Sequence, residues 1–261
     1  MDLQVKDKVY FLAASTRGLG RAIAQILHAD GGSVFLGGRD EEVLLNTLKE
    51  FGGASDKRVH GAVLDCASAE SITNWVEEGL HTFGKIDGLL VNAGGPPTGR
   101  FQNFQDSDFD AAYQLTLMSA VRLVRESLPS LRSTKGSILF LTSQSVREPV
   151  DNLILSNVFR SGVNALMKTL SRDLASDSIR VNSIAPGLIA TDRLDKIEKK
   201  TAEDSGRNIN EVRKAMQAGI PMGRYGDPVE FGKVGAFLLS PASAYVHGEA
   251  VQVDGGLAKG L

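Results

Sequence analysis

The feature that most constrains this chain is an alternation repeated along its length. Short, near-continuously apolar runs are separated by amphipathic segments of helical period. Val9–Ala13, Ser33–Leu36, Arg58–Leu64, Ile86–Val91, Ser137–Leu141, Ile179–Ile184 and Ala250–Val253 read as strands. Between them, helices are expected over Gly18–Ala29, Glu41–Phe51, Ala69–Phe83, Phe109–Leu128, Leu155–Ala175 and Val229–Leu239. Strands apolar on both sides must be covered on both sides. Strand–helix alternation makes the connections right-handed crossovers. The expectation is an α/β, doubly wound parallel sheet of Rossmann type, forming a single domain over residues 1–261. No Pro- or Ser-rich linker interrupts it.

Composition narrows the class. Lys+Arg is 29 against Asp+Glu 31, a net charge of −2, which argues against a nucleic-acid partner. Glycine is 28 of 261 residues, above the roughly 7% average, so tight turns or close backbone approaches are expected. The one cysteine, Cys66, cannot form an internal disulfide, and a reducing, cytoplasmic location is expected. His28, His60, His81 and His247 are far apart with no H-x-x-x-H pair, so no metal site is expected. The N-terminal residues lack a long apolar run, and no stretch approaches about 18 consecutive apolar residues. Neither a signal peptide nor a membrane span is expected.

One segment breaks the alternation. Asp192 to Lys214 holds seven basic and six acidic residues. It follows the sixth strand, and ligands in such folds bind at the carboxyl ends of strands. A solvated helix pair and a charged helical lid over residues 192–220 are compatible readings.

The turn after the first strand reads Ala13-Ala14-Ser15-Thr16-Arg17-Gly18-Leu19-Gly20. Small residues and glycines there let backbone N–H groups approach a pyrophosphate at a helix N-terminus. In this setting the chain resembles the short-chain dehydrogenase/reductase family. That family carries T-G-x-x-x-G-x-G at this point, where this chain has Ala13 and Ala14 in place of the Thr and the first Gly. Further matches follow in order. Asp65 resembles the family's adenine-contacting Asp, and Asn92-Ala93-Gly94 its N-A-G motif. Pro186-Gly187, with Ile189 and Thr191, resembles the loop that holds the nicotinamide carboxamide. Val253-Asp254-Gly255-Gly256 matches the C-terminal signature. The resemblance spans nearly the whole chain and implies a nicotinamide cofactor held by Ala14 to Gly20.

The second strand leads to Arg39, where an acid would accept hydrogen bonds from the ribose 2′-hydroxyl of NAD. Arg39 and Arg17 instead offer cations to a 2′-phosphate, so NADP(H) is the expected cofactor. Asp40 next door would serve NAD if the register slipped.

The family uses an Asn-Ser-Tyr-Lys tetrad. Ser143, after the fifth strand, sits at the Ser position, with Ser145 an alternative. Aligning the following helix puts Ser156 at the Tyr position and Arg160 at the Lys position; Thr116 falls at the Asn position. The residues four places after the four tyrosines are Ala14, Leu117, Val229 and Glu249, so no Tyr-x-x-x-Lys occurs anywhere. A serine hydroxyl is a far weaker acid than tyrosine, whose pKa of about 10 a cation can lower. Arginine stays protonated. This cluster therefore reads as an electrostatic or anion-binding site more than an acid–base engine. Glu148 and Asp151 lie nearby and read as surface carboxylates. Tyr113 reads as packing.

Besides a protein that binds no cofactor at all, for which Ala14 in place of a family glycine is the only support, two functions remain open. One is an NADP(H)-dependent oxidoreductase acting on a small-molecule carbonyl or alcohol with a modified tetrad. Its nearest likeness is to reductases of 3-oxoacyl-acyl carrier protein. The other is a non-catalytic NADP(H)-binding sensor or scaffold. The resemblance also implies a homo-tetramer built through the two long helices, Phe109–Leu128 and Leu155–Ala175, and through the last strand.

Overall fold

The computed structural model describes residues 1–260. Seven strands form one parallel sheet: β1 (Val9–Leu12), β2 (Ser33–Gly38), β3 (Val59–Val63), β4 (Gly88–Val91), β5 (Ser137–Leu141), β6 (Arg180–Pro186) and β7 (Ala250–Val253). Their order is β3-β2-β1-β4-β5-β6-β7. Every pairing is parallel. The chain winds outward one way from β1 and the other way from β4. A crevice therefore opens between the carboxyl ends of these two strands.

Helices cover both faces, as the two-sided apolar strands require. In β1, Val9 and Phe11 point to one side, and Tyr10 and Leu12 to the other. On the first side they meet α3 (Ala69–Phe83), α5 (Ser119–Thr134) and α6 (Ile154–Asp173). Trp75 of α3 stacks on Phe11 and Phe35 with ring centroids 5.5 and 5.3 Å away, and its indole N–H donates to Leu36 O. On the second side lie α1 (Gly18–Ala29), α2 (Glu41–Glu50) and α9 (Pro228–Leu239).

Three departures from expectation have physical causes. The long helix predicted over Phe109–Leu128 runs from α4 (Asp106–Ala112) through a π turn (Tyr113–Met118) into α5, and continues past Pro129 to Thr134. Burial of Ser127 and Leu131 holds the last turns against the proline, which removes one helical N–H. Tyr113 is not a core residue: it is exposed beside Phe159, with ring centroids 6.1 Å apart. Strands β2 and β6 run two residues further than predicted, because Gly37 and Gly38 pair with β3 and Ala185 and Pro186 with β7.

The charged segment forms α7 (Asp192–Ser205) and α8 (Ile209–Ala218), separated at Gly206. It is not uniformly solvated. Glu198 is only 1% exposed and holds the pair together. It accepts hydrogen bonds from Arg213 at 2.7 and 3.0 Å and from the Tyr225 hydroxyl at 2.8 Å. These partners hold its carboxyl below the usual carboxylate range, Arg213 foremost.

Candidate active site

The loop between β1 and α1 is fixed from below. Ser15 is fully buried; its hydroxyl donates to Leu12 O at 2.6 Å and its N–H to Gly37 O at 2.8 Å. Thr47 of α2 donates to Thr16 O at 3.0 Å, and the Asn92 amide donates to Ala14 O at 2.9 Å. Gly20 has no room for a side chain: a Cβ would lie 2.8 Å from Ala14 O. Ala14 itself takes φ +46°, in the left-handed region that favours glycine. Arg17 precedes α1 without a side-chain cap on that helix. The N–H groups of Gly18, Leu19 and Gly20 thus face the crevice without intrahelical partners. A cleft there is lined by Thr16, Arg17, Gly18, Arg21, Asn46 and Asp192, with Glu50, whose carboxylate pairs with Arg21, at its far side. These features fit a pyrophosphate.

Arg39 follows β2 directly and is exposed. Asp40 caps α2, accepting from Val43 N–H at 3.1 Å, so its carboxylate already serves the helix. Asp65 follows β3; one carboxylate oxygen accepts from Ala67 N–H at 3.0 Å. Asn92, Ala93 and Gly94 follow β4 at the crevice.

On the other side of the switch point, Pro186 ends β6 and Gly187 passes β7 closely. A Cβ on Gly187 would lie 2.6 Å from the Asp254 Cα. Ile189 is buried against Gly226, and its neighbour Ala190 donates to Gly226 O at 2.9 Å. Thr191 begins α7; its hydroxyl donates to Ile189 O at 3.3 Å, and its methyl approaches Gly18.

The candidate catalytic residues gather at the carboxyl end of β5. Ser143 accepts from Ser145 N–H at 3.2 Å. Ser156 is buried in the first turn of α6, one turn before Arg160 on the same face. Arg160 is half-buried and donates to Leu141 O at 2.8 Å and to Thr142 O at 3.3 Å. Burial, and then the nearby charge of Arg193, pull its pKa down to about 10. It stays charged at neutral pH. Thr116 is buried in the π turn, and its hydroxyl, like that of Ser145, has no partner among the described residues. Glu148 accepts from Lys259 N–H at 3.2 Å, so one surface carboxylate engages the C-terminal segment.

One residue was missed by sequence reasoning. The guanidinium of Arg193 lies over Gly95, in the space a Cβ there would occupy. The only sequence signal was its place two residues after Thr191, masked by the surrounding run of charge.

Among the described residues, no group of three or more His, Cys, Asp or Glu converges on a metal site. No helix among them is long and apolar enough to cross a membrane.

A seven-stranded parallel sheet, with a phosphate-ready helix terminus and polar groups facing it across the switch point, defines a nicotinamide-dependent oxidoreductase scaffold. The chain belongs to the short-chain dehydrogenase/reductase family. A family model described as enoyl-(acyl carrier protein) reductase matches residues 13–258. The 3-oxoacyl-[acyl-carrier-protein] reductase of Thermotoga maritima is 30% identical over 98% of this chain and 99% of its own. L-sorbose reductase from Gluconobacter frateurii, solved with NADPH and L-sorbose, superposes with a TM-score of 0.92 at 30% identity over the whole of both chains. An NADPH-bound short-chain oxidoreductase from Pseudomonas aeruginosa, described as containing an atypical catalytic centre, superposes with a TM-score of 0.87 at 26% identity over 98% of each chain.

Proposed function

We propose that the protein is an NADP(H)-dependent oxidoreductase that interconverts a small-molecule carbonyl and its alcohol through a tetrad in which Ser156 and Arg160 replace tyrosine and lysine. The observation that carries this reading is Arg160, held by two backbone carbonyls at the end of β5 beside Ser143. Bound NADP(H) would supply or accept the hydride. Its pyrophosphate would lie on Ser15 to Gly20, next to Ala14. Arg17 and Arg39 would hold its 2′-phosphate, and Asp65 its adenine. Asn92, Ala93, Gly94, Pro186, Gly187, Ile189 and Thr191 would line the nicotinamide half. The NADPH-bound neighbours support this choice of cofactor.

Arg160 would meet negative charge developing on the substrate oxygen. Ser143 would orient that oxygen. Protonation would run through Ser143, Ser156 or water, with Thr116 behind them. Helices α7 and α8, within residues 192–220, would act as a lid. The exposed Phe101, Tyr113 and Val158 along α4 to α6 support assembly into a homo-tetramer, which sedimentation would show directly. The proposed setting is cytoplasmic, in keeping with one buried, unpaired cysteine.

The test is incubation with NADPH and a panel of ketones, aldehydes and 3-oxoacyl thioesters, following loss of reduced nicotinamide. Turnover abolished by Ser143→Ala is the expected result. Tight NADPH binding without oxidation across the panel would instead favour a non-catalytic sensor or scaffold.

A further inference from the structure

Two guanidinium groups lie beyond the carboxyl ends of the neighbouring strands β4 and β5, and neither has a carboxylate partner among the described residues. Arg160 comes from α6, tethered to Leu141 O and Thr142 O. Arg193 comes from the first turn of α7 and covers Gly95, three residues past Asn92. Neither forms an ion pair among the described residues. Each has its pKa lowered, burial being the first cause for both, and the Arg193 charge adds to the effect on Arg160. The acids that could balance them are engaged elsewhere. Glu148 accepts from Lys259 N–H, and Asp254 accepts from Gly256 and Ala258 N–H. Asp192 lines the cleft beside Arg17 and Arg21, at the phosphate end. Like charges held near one another repel, the more so around the half-buried Arg160, and an anion placed between them removes the repulsion.

We propose that the molecule taken by this site is a carboxylate-bearing anion, an oxo acid, and that Arg193 anchors its carboxylate while Arg160 faces its carbonyl oxygen. This rests on the reductase reading for the reaction but not for the binding. In the reducing direction the carbonyl carbon would take a hydride that bound reduced cofactor would supply. The C=O π pair moves to oxygen, where Arg160 stabilises the charge. A proton from water completes the hydroxyl, the carboxylate is unchanged, and the nicotinamide leaves oxidised.

An oxyanion at Arg193 could also belong to the cofactor's pyrophosphate. Geometry favours the substrate, because Arg193 lies over Gly95 after β4, whereas the pyrophosphate would sit on the N–H groups at the start of α1. The two sources separate by calorimetry on the NADP-loaded protein, with malonate as an inert probe and dimethyl malonate as its uncharged counterpart. The expected result is that malonate binds and the ester does not. Arg193→Leu should weaken malonate by about 10-fold or more, the loss of one charge-assisted contact. Arg193→Lys should restore part of the affinity. NADPH affinity and melting temperature should stay within error of the parent, since Arg193 is exposed. Equal binding of acid and ester, no malonate binding, or a weakened NADPH affinity in Arg193→Leu would each overturn the proposal. Arg193-dependent malonate binding with no reduction of any oxo acid would support the anion site and remove the reductase reading alone.

Discussion

Ala14 offers a direct measure of backbone strain inside a cofactor loop. It stands where the family motif has its first glycine, and its φ is +46°. An L-residue in the left-handed region carries roughly 1–2 kcal/mol of steric penalty. Replacing it with glycine removes that penalty. Two smaller effects oppose the gain. Glycine is more disordered in the unfolded chain, by about 0.5–1 kcal/mol. Ala14 is also partly buried against the core, so losing its methyl forfeits roughly half of the ~0.8 kcal/mol of a buried CH₂. The balance for Ala14→Gly runs from a loss of about 0.4 to a gain of about 1.1 kcal/mol, centred on a gain of roughly 0.3 kcal/mol, or a melting temperature higher by roughly 1 °C in a chain of this size. Ala14→Val is the control: a β-branched residue at positive φ is worse placed than alanine and should lower the melting temperature. The assay is paired thermal and urea melts of the three proteins. The hydrogen bond from Asn92 to the Ala14 carbonyl is a backbone acceptor and survives either change. A melting temperature for Ala14→Gly lower by more than about 2 °C, or no change for Ala14→Val, would refute the reasoning.

Three further outcomes are expected. Glu198→Gln should destabilise the protein by about 1–3 kcal/mol, because it weakens charge-assisted bonds from Arg213 and Tyr225 at a buried site. Since Arg213 lowers the Glu198 pKa in the folded state, its contribution is complete above the unfolded value of about 4.3 and is lost as pH falls below it. Melting temperatures at pH 6 and at about pH 3.5 should therefore diverge for the parent more than for Glu198→Gln. Arg39→Ala should raise the Kd for NADPH by about 10-fold and leave that for NADH unchanged, a contrast read by fluorescence titration. Gly20→Ala should lower the melting temperature by an amount equivalent to about 1–3 kcal/mol and abolish NADPH binding, because its Cβ would sit 2.8 Å from Ala14 O and 3.0 Å from Ser15 Cα.

What the sequence reveals follows from where the physics is local. Apolar runs such as Ser137–Leu141 need no partner to be recognised, and β5 spans those residues. The caps of α2 and α3 are short-range side-chain bonds from Asp40 and Ser68, and both helices begin where the pattern places them. Asp40 shows the next level: only the structure reveals that its carboxylate is engaged by Val43 N–H and is thereby drawn away from a ribose. The π turn at Tyr113–Met118 gives no periodic signal, because six residues of altered hydrogen bonding hardly disturb an apolar stripe. Glu198 and Arg193 were hidden for a different reason. Each sits in a run of charge whose members look alike until tertiary contact singles them out. Glu198 meets Arg213 and Tyr225 across a gap of 15 and 27 residues, and Arg193 meets Gly95 across a much longer stretch of chain.

The two halves of the site also differ in how firmly backbone alone prescribes them. The cofactor half is built from strand ends, a helix terminus and close backbone approaches, so it survives Ala13 and Ala14 in place of the family's Thr and Gly. The catalytic half depends on one side chain's acidity. Arg160 keeps its charge at neutral pH even with burial drawing its pKa down to about 10. That charge is fixed by Leu141 O and Thr142 O at the carboxyl end of β5, where the proposed reaction would develop charge. An arginine held this way supplies preorganised electrostatic stabilisation and leaves proton transfer to hydroxyls and water. In the proposed tetrad, Ser156 and Arg160 would therefore divide two tasks that a tyrosine–lysine pair performs together. That tetrad also places a permanent cation where a neutral substrate would have no use for the second one, Arg193.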